Sequence, residues 1–291
     1  MDSANERFSP LSTPSATREV LERHGLFTKY GLGQNFLVND DVIRKIIELA
    51  DVRATDRILE VGPGIGTLTA ALLPRAAHVT AIEKDRDLAP VLADTLAPWA
   101  DTFTLISEDA LNVTPDALPQ PAPNKLVANL PYAVAATVVL DYLQRFDTLE
   151  SVTVMVQKEV ADRMTARPGT KAYGAYTVKL SLYARPAGRF SVAPGNFFPP
   201  PHVESTVLRL DRMPACDDPA LAAAACRMAD AAFANRRKTL ANSCKTYFAN
   251  DPTTLAALPD IFAAAGIDSR RRGETLTQSE FLALADAFLQ A

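Results

Sequence analysis

Cysteine is scarce in this 291-residue chain, and so are long runs of apolar residues. The three cysteines, Cys216, Cys226 and Cys244, lack the spacing of a metal or redox motif, which indicates a reducing compartment, no disulfide and no bound metal. No apolar run approaches the roughly 20 residues of a membrane-spanning helix, and the first residues are charged where a secretion signal would be apolar. We therefore expect a cytoplasmic protein with no membrane partner.

A surplus of positive charge is also missing. Lys and Arg number 30 and Asp and Glu 34, so the net charge of −4 argues against a uniformly basic nucleic-acid-binding protein. Locally the balance reverses: Arg163 to Arg189 holds six basic residues and no acidic one, and Arg236-Arg237-Lys238 forms a second cluster. Aromatic neighbours such as Tyr173 and Phe233 favour grooves that follow a phosphate backbone. The arginine triplet at 270–272 is interpreted as solvated surface.

The glycine-rich turn Gly62-Pro63-Gly64-Ile65-Gly66 lacks the features of two phosphate-binding motifs. A dinucleotide fingerprint would need a glycine at position 67, which is Thr67, and the Lys-Ser/Thr pair of an ATP-binding loop is absent. The turn follows a predicted strand, so its backbone can approach a ligand closely. It favours an amino-acid and ribose ligand over a pyrophosphate, and a tight packing turn is the alternative interpretation.

Polar or glycine residues follow four of the predicted strands. Strands are expected at 57–61, 78–83, 103–106, 125–128 and 152–156, and helices between them predict a doubly wound, mainly parallel sheet. Gly62, Glu83, Asp109 and Asn129 stand at the carboxyl ends of the first four, which meet at one edge of such a sheet. Glu83 is expected to bind ribose hydroxyls and Asp109 an adenine amine. Helix capping is the alternative for both carboxylates.

The tetrapeptide Asn129-Leu130-Pro131-Tyr132 ends the fourth strand. Pro131 has no N–H and stops the ladder, and a residue before proline prefers extended backbone, so the Leu130 carbonyl is not taken up by a helical turn. Asn129 Oδ1 and the Leu130 carbonyl could each accept one hydrogen of an adenine exocyclic amine, and Tyr132 could stack on the purine. Taken alone, an ordinary strand-to-turn exit is an equal alternative.

The chain divides into a tail, a large domain and a small one. Residues 1–17, rich in Ser, Thr, Pro and Ala, are predicted to be a disordered tail, and 18–212 form the main domain. Beyond Pro214 the pattern is helical, so 213–291 is predicted to be a small all-α domain. Phe197-Phe198-Pro199-Pro200-Pro201 is a stiff segment that could hold a phenylalanine over a cleft, and core packing of Phe197 is the alternative.

Seven motifs, in order, resemble those of the ribosomal RNA adenine dimethyltransferase family, from about Lys29 to the C-terminus. They are Leu32 to Leu37, Glu60 to Gly64, Asn129 to Tyr132, Gln157 to Val160, Lys171 to Gly174, Phe197 to Ser205, and Phe233 to Thr239. The resemblance is greatest to the bacterial members that dimethylate two adjacent adenines near the 3′ end of 16S rRNA. It implies a class I, Rossmann-like methyltransferase fold. His202 and Glu204 depart from the family's usual Lys and Asp.

The resemblance also implies a cofactor, a substrate and roles for individual residues. The methyl donor would be S-adenosylmethionine, held by Asn35, Leu37, Gly62, Glu83, Asp109 and Asn129. The target adenine would meet Asn129, Leu130, Tyr132 and Phe197, although the doubled aromatic leaves open whether Phe197 or Phe198 stacks. The two basic clusters then predict RNA contacts at Arg163, Lys171, Arg236, Arg237 and Lys238. The partner would be 16S rRNA in an immature 30S subunit, bound by a monomer.

Three other functions share part of this pattern. A 23S rRNA adenine methyltransferase would orient its target amine with a similar tetrapeptide. The helical C-terminus with Arg236-Arg237-Lys238 favours 16S rRNA of the small subunit as the substrate. A DNA adenine or protein-glutamine methyltransferase would more often have proline in place of Leu130. A non-catalytic RNA-binding assembly factor or transcription factor could keep the fold, but intact Glu83, Asp109 and Asn129 argue against it.

Overall fold

A computed structural model describes residues 7–27 and 34–291, which fall into two compact units. The first, here called the sheet unit, contains the described residues up to Ala161 together with Pro186–Arg212. The second, the helical unit, contains Asp162–Arg185 and Met213–Ala291. No helix in the described ranges is long and apolar enough to cross a membrane.

Eleven α-helices and nine strands make up the described chain. The helices are α1 (Pro14–Arg23), α2 (Asp40–Ala50), α3 (Thr67–Leu72), α4 (Ala89–Thr95), α5 (Ala135–Arg145), α6 (Lys158–Met164), α7 (Ala175–Ser181), α8 (Pro219–Phe233), α9 (Leu240–Tyr247), α10 (Pro252–Ala264) and α11 (Gln278–Leu289). The strands are β1 (Phe36–Leu37), β2 (Arg57–Val61), β3 (His78–Ile82), β4 (Phe103–Ile106), β5 (Lys125–Asn129), β6 (Ser151–Gln157), β7 (Ala184–Val192), β8 (Phe197–Phe198) and β9 (Ser205–Arg212). Short 3₁₀ helices include Leu73–Arg75, Arg86–Leu88, Ala97–Thr102, Pro115–Ala117, Pro194–Asn196 and Gly273–Thr275.

The main sheet has seven strands in the order β4-β3-β2-β5-β6-β9-β7. Strands β2 to β6 pair in parallel, and β9 runs antiparallel to β6. Strands β3 and β4 follow β2 on one side of it, and β5 lies on the other side of β2. This reversal opens a crevice at the carboxyl ends of β2 and β5, where ligands of such sheets bind. The predicted doubly wound, mainly parallel sheet is confirmed.

The sheet is stable because its central strands are apolar on both faces. Ile58, Leu59, Leu126 and Val127 are fully buried, as parallel strands covered by helices require. At the amino ends of β2 and β5, the buried Lys125 ammonium lies 2.7 Å from the Asp56 carboxylate. The polar groups at this edge are thus paired with each other, at the opposite ends of the strands from the crevice.

The N-terminal residues that the structure describes differ from the predicted disordered tail. The backbone N–H groups of Phe8 and Ser9 each donate to the Asp40 carboxylate over 2.9 Å. Helix α1 then begins at Pro14, with the Thr13 side chain as its N-cap. The segment is ordered because a carboxylate in the first turn of α2 satisfies its backbone. The prediction for residues 7–17 was wrong, and 1–6 lie outside the described residues.

The predicted boundary after residue 212 coincides with one junction between the two units, but residues 162–185 belong to the helical unit rather than the large domain. Tyr173 shows the reason. Its ring is buried in the apolar core of the helical unit, and its hydroxyl donates to the Leu276 carbonyl over 2.8 Å. These contacts join positions about a hundred residues apart, which composition along the chain does not reveal.

Candidate active site

A cavity of about 500 Å³ opens at the carboxyl ends of β2 to β5, within the sheet unit. Backbone hydrogen bonds hold the strand exits in one row: Gly62 N–H donates to Ile82, Glu83 N–H to Ile106 and Leu130 N–H to Met155. The cavity is lined by eight residues predicted as donor or base contacts: Asn35, Leu37, Gly62, Glu83, Asp109, Asn129, Leu130 and Tyr132. Residues distant in sequence therefore surround one space.

The glycine turn forms one wall of the cavity. Gly62 and Gly64 have φ of 71° and 61°, backbone values that side-chain-bearing residues rarely adopt. A Cβ on Gly64 would lie 2.9 Å from Cε1 of Phe36, and one on Gly62 would lie 3.2 Å from Cδ of Pro131. The turn thus needs glycine for conformation and for its close approach to both β1 and the tetrapeptide.

Carboxylates supply most of the cavity's polarity. Glu83 accepts hydrogen bonds from the backbone N–H of Asp85 (2.9 Å) and of Gly64 (3.4 Å), so it is fixed in place after β3. Burial raises the pKa of Glu83, although these hydrogen bonds partly oppose the shift. Asp109 pairs with the Lys84 ammonium at 2.8 Å, and this hydrogen bond lowers the pKa of Asp109. A ligand amine at Asp109 would share the carboxylate with Lys84.

Glu60 is a further carboxyl in the lining that had been noted only as part of a motif. It is 1% exposed, at the end of β2, and its Oε2 has no hydrogen-bond partner among the described residues. Burial, with a smaller contribution from the Glu83 charge, raises the pKa of Glu60 to about 8. The hydroxyl of Thr67, which also lines the cavity, is likewise buried without a partner. The cavity lining thus contains two buried polar groups that no other described residue hydrogen-bonds.

Gln34, Lys84 and Asp85 also line the cavity but had not been singled out as site residues. The Gln34 side-chain amide donates to Asp85 over 2.9 Å, which ties the segment before β1 to the segment after β3. The motif Leu32 to Leu37 offered a signal for Gln34. No sequence pattern distinguished Lys84 or Asp85 from ordinary surface residues.

The tetrapeptide lines the cavity where strand β5 ends. Strand β5 ends at Asn129, two residues before Pro131. Asn129 lines the cavity, and its side-chain N–H donates to the Asn35 carbonyl over 3.3 Å, while no hydrogen bond within the described residues ends on its Oδ1. In the described chain no hydrogen bond ends on the Leu130 carbonyl oxygen. Tyr132 is half-buried with its hydroxyl 2.7 Å from that of Ser205, and burial raises the pKa of Tyr132.

Phe197 lies apart from these residues. It is 3% exposed in the core of the sheet unit, and it is absent from the cavity lining. Strand β8 pairs with β1, so that Leu37 faces Phe197 and Phe36 faces Phe198. The Phe198 ring in turn lies 5.0 Å from the Arg18 guanidinium carbon. In this conformation the alternative of core packing describes Phe197, and stacking on a base would require it to leave the core.

The five predicted RNA contacts all belong to the helical unit: Arg163, Lys171, Arg236, Arg237 and Lys238. All five are exposed. Arg236 pairs with Glu274 at 3.0 Å and donates to the Thr170 carbonyl over 3.3 Å. These contacts join the 167–171 segment to the Arg236-Arg237-Lys238 segment, so the helical unit brings the two basic clusters of the sequence together.

The sequence profile described as "Ribosomal RNA adenine dimethylase" matches residues 27–284. A protein of Enterococcus faecalis named ribosomal RNA small subunit methyltransferase A is 39% identical over 289 residues, with 96% of this chain and 97% of the relative covered. The protein of the same name from Thermobifida fusca is 41% identical, with 98% of each chain covered.

Two solved structures show the same fold over most of the chain. A dimethyladenosine transferase from Plasmodium falciparum has a TM-score of 0.72 at 22% identity, covering 86% of this chain and 95% of its own. The 23S rRNA methyltransferase ErmE has a TM-score of 0.65 at 26% identity, covering 88% and 100%. The expected class I, Rossmann-like fold with a C-terminal helical region is confirmed. The chain belongs to the ribosomal RNA adenine dimethylase family.

Proposed function

We propose that this protein transfers methyl groups from S-adenosylmethionine to N6 of two adjacent adenines near the 3′ end of 16S rRNA. The observation that carries the proposal is the tetrapeptide, whose Asn129 Oδ1 and Leu130 carbonyl both remain available beside a cavity. The family and the relatives named for the small ribosomal subunit support rRNA as the substrate. We further propose that a monomer acts in the cytoplasm on an immature 30S subunit.

The cavity suits S-adenosylmethionine in size and in chemistry. Its volume of about 500 Å³ falls within the ~300–1,000 Å³ common for small-molecule sites. The donor carries ribose hydroxyls, an adenine amine and positive charge. Glu83 would hold the hydroxyls, Asp109 the amine, and the backbone at Asn35, Leu37 and Gly62 the amino-acid part. The unpartnered Glu60 oxygen adds a buried hydrogen-bonding group to the lining of the cavity. When bound, this cofactor supplies an electrophilic methyl group.

The protein's part in the chemistry is to position a weak nucleophile. The lone pair of an adenine amine is delocalised into the ring, so the amine reacts slowly unless it is drawn toward tetrahedral geometry. Two fixed acceptors, Asn129 Oδ1 and the Leu130 carbonyl, would accept hydrogen bonds from the two N–H groups of the amine. The nitrogen lone pair would then be directed at the methyl group of the donor. Asn35 maintains this arrangement because its carbonyl holds the Asn129 amide in one orientation. Tyr132 would stack on the base.

In the second methylation the two acceptors can no longer both be hydrogen-bonded. A monomethylated amine has only one N–H, so one of the two acceptors must lose its hydrogen bond. The other must then orient the nitrogen by itself, with help from stacking on Tyr132. We therefore expect variants of Asn129 to impair the first transfer in either case, and the ratio of monomethyl to dimethyl product reports whether Asn129 also serves the second.

Asn129→Ala tests the proposal. It removes one acceptor, so dimethyladenosine on unmethylated 30S subunits should fall by at least ~100-fold, the loss seen when one preorganised hydrogen-bonding group is removed. The affinity for S-adenosylmethionine, measured by calorimetry, should change far less. Asn250→Ala, at an exposed asparagine of the helical unit, is the matched control. A normal yield of dimethyladenosine by mass spectrometry with Asn129→Ala would refute the assigned role.

A 23S rRNA methyltransferase is the second candidate because ErmE shares the fold at 26% identity. Relatives near 40% identity, by contrast, are named for the small subunit. One assay that offers unmethylated 30S and 50S subunits in parallel separates the two, since only one should acquire dimethyladenosine. Donor binding without methylation of either substrate would favour an assembly factor.

A further inference from the structure

The segment at residues 108–113, here called the Asp109 loop, follows strand β4. Strand β4 lies at the edge of the seven-stranded sheet, so only β3 flanks it. Apart from bonds within the loop and to the end of β4, the hydrogen bonds that reach its backbone from the rest of the described chain come from helix α5. Tyr142 donates to the Ala110 carbonyl over 2.9 Å, and Arg145 donates to a carbonyl three residues further on over 3.1 Å. Helix α5 therefore holds a loop that the sheet leaves open on one side.

Tyr142 is a buried phenol whose ring and hydroxyl have separate partners. The ring is fully buried and stacks on Phe146, with 4.4 Å between the ring centroids. A phenylalanine would fill the same space. The hydroxyl would cost free energy in this apolar setting without a hydrogen bond, and the Ala110 carbonyl is its acceptor. Burial raises the pKa of Tyr142, so the phenol keeps its proton and is the donor in this bond.

The peptide unit between Ala110 and Leu111 connects this bond to Asp109. Its carbonyl accepts from Tyr142, and its N–H, which belongs to Leu111, donates to Asp109 Oδ1 over 3.0 Å. Because a peptide unit is planar, fixing its carbonyl also fixes the direction of its N–H. Two hydrogen bonds in series through one peptide also polarise each other. The Tyr142 hydroxyl thus restrains the position of Asp109 Oδ1.

The second oxygen of the Asp109 carboxylate is held less firmly. Asp109 Oδ2 pairs with the Lys84 ammonium at 2.8 Å, but the Lys84 side chain is 67% exposed. An ion pair that is open to water restrains its partners weakly, because solvent screens the charges and ordering a long side chain costs entropy. The buried Tyr142 bond is therefore the stronger restraint on the carboxylate.

We propose that Tyr142 is a positioning residue of the donor site, whose hydroxyl, through one peptide unit, holds Asp109 where it accepts a hydrogen bond from the adenine amine of S-adenosylmethionine. The inference rests on the proposed function for its ligand, and it extends the site to a residue outside the cavity lining. Helix α5 also begins directly after the tetrapeptide, and the Ala135 N–H donates to the Pro131 carbonyl over 3.1 Å. One helix therefore contacts the two segments assigned to the donor's adenine and to the target amine.

The test compares Tyr142→Phe with wild type in calorimetric binding of S-adenosylhomocysteine and of an analogue whose purine has hydrogen in place of the amine. Wild type should prefer S-adenosylhomocysteine by roughly 10-fold or more, the contribution of a hydrogen bond to a charged group. In Y142F this ratio should fall at least about 3-fold, while affinity for the analogue should change less than about 2-fold. D109A should abolish the preference, and adding Y142F to D109A should change it no further, because both residues act through one bond.

Tyr173→Phe is the matched control, because Tyr173 is also buried and donates to a backbone carbonyl, that of Leu276, but belongs to the helical unit. Y173F should lower the melting temperature about as much as Y142F and leave the preference for the amine unchanged. An unchanged ratio in Y142F, or an equal loss of affinity for both ligands, would overturn the inference, since the hydroxyl would then support only packing. Equal affinity of wild type for both ligands would refute the contact assigned to Asp109 under the proposed function and the inference with it, whereas a preference that Y142F retains refutes the inference alone.

Discussion

Replacing Glu60 with glutamine should make the folded protein more stable at neutral pH. The carboxyl is buried, and its pKa in the folded state is raised from the ordinary 4.5 to about 8. Between these two values the folded state binds more protons than the unfolded chain, so stability falls as pH rises. With 1.36 kcal/mol per pKa unit, keeping this group protonated at pH 7 costs about 3 kcal/mol, and glutamine avoids that cost.

Denaturant unfolding at pH 5, 6, 7 and 8 measures the effect. Wild type should lose about 3 to 4 kcal/mol more than Glu60→Gln across this range, and the curves should run parallel above about pH 8, where the folded-state carboxyl also ionises. Glu22→Gln, at an exposed glutamate, is the control and should follow wild type. Parallel curves for wild type and Glu60→Gln throughout would show that the carboxyl ionises normally, and the reasoning about its burial would be wrong.

Three further predictions concern the site and its support. Gly64→Ala places a Cβ within 2.9 Å of an aromatic carbon, so the affinity for S-adenosylhomocysteine, measured by calorimetry, should fall at least 10-fold. Gly169, which has a positive φ of 82° but open space around it, provides the control. Gly169→Ala should destabilise the protein without affecting binding of S-adenosylhomocysteine. Lys125→Met leaves the Asp56 carboxylate buried and unpaired, which should cost about 3–5 kcal/mol in urea unfolding, and adding Asp56→Asn should recover part of it. Tyr132→Phe should retain most activity while Tyr132→Ala loses it, because stacking requires the ring and not the hydroxyl; equal activities would exclude stacking.

Local pattern was sufficient for the five parallel strands of the sheet unit. Helix α2 begins after Asn39, a residue type common at helix N-caps, whose side chain accepts from the Val42 N–H, and it ends at Ala50. Strands at 57–61 and 103–106 match their predicted bounds because apolar runs bordered by glycine or polar residues have few alternatives. Strand β7 was missed because most of its side chains are exposed and it lacks a regular apolar pattern.

The helical unit shows where periodicity alone misplaces a boundary. The sequence pattern beyond Pro214 indicates helices but not their ends, and α9 begins at Leu240 with Thr239 as its N-cap. Residues 235–238 instead form a turn fixed by the buried Ser243 hydroxyl. This contact holds Arg236, Arg237 and Lys238 in a turn between α8 and α9, which periodicity along the chain does not reveal.

The sequence by itself determined the order of the parallel strands along the chain and the residue types at their ends, because proline and glycine restrict the backbone locally. It therefore predicted that Gly62, Glu83, Asp109 and Asn129 would share one edge. Only the tertiary structure decided which groups are buried or paired. The Glu60 carboxyl, for example, is shielded from water, and the Phe197 ring lies in the core of the sheet unit. Burial and pairing depend on contacts between segments far apart in the chain, and those contacts exist only once the strands and helices have packed.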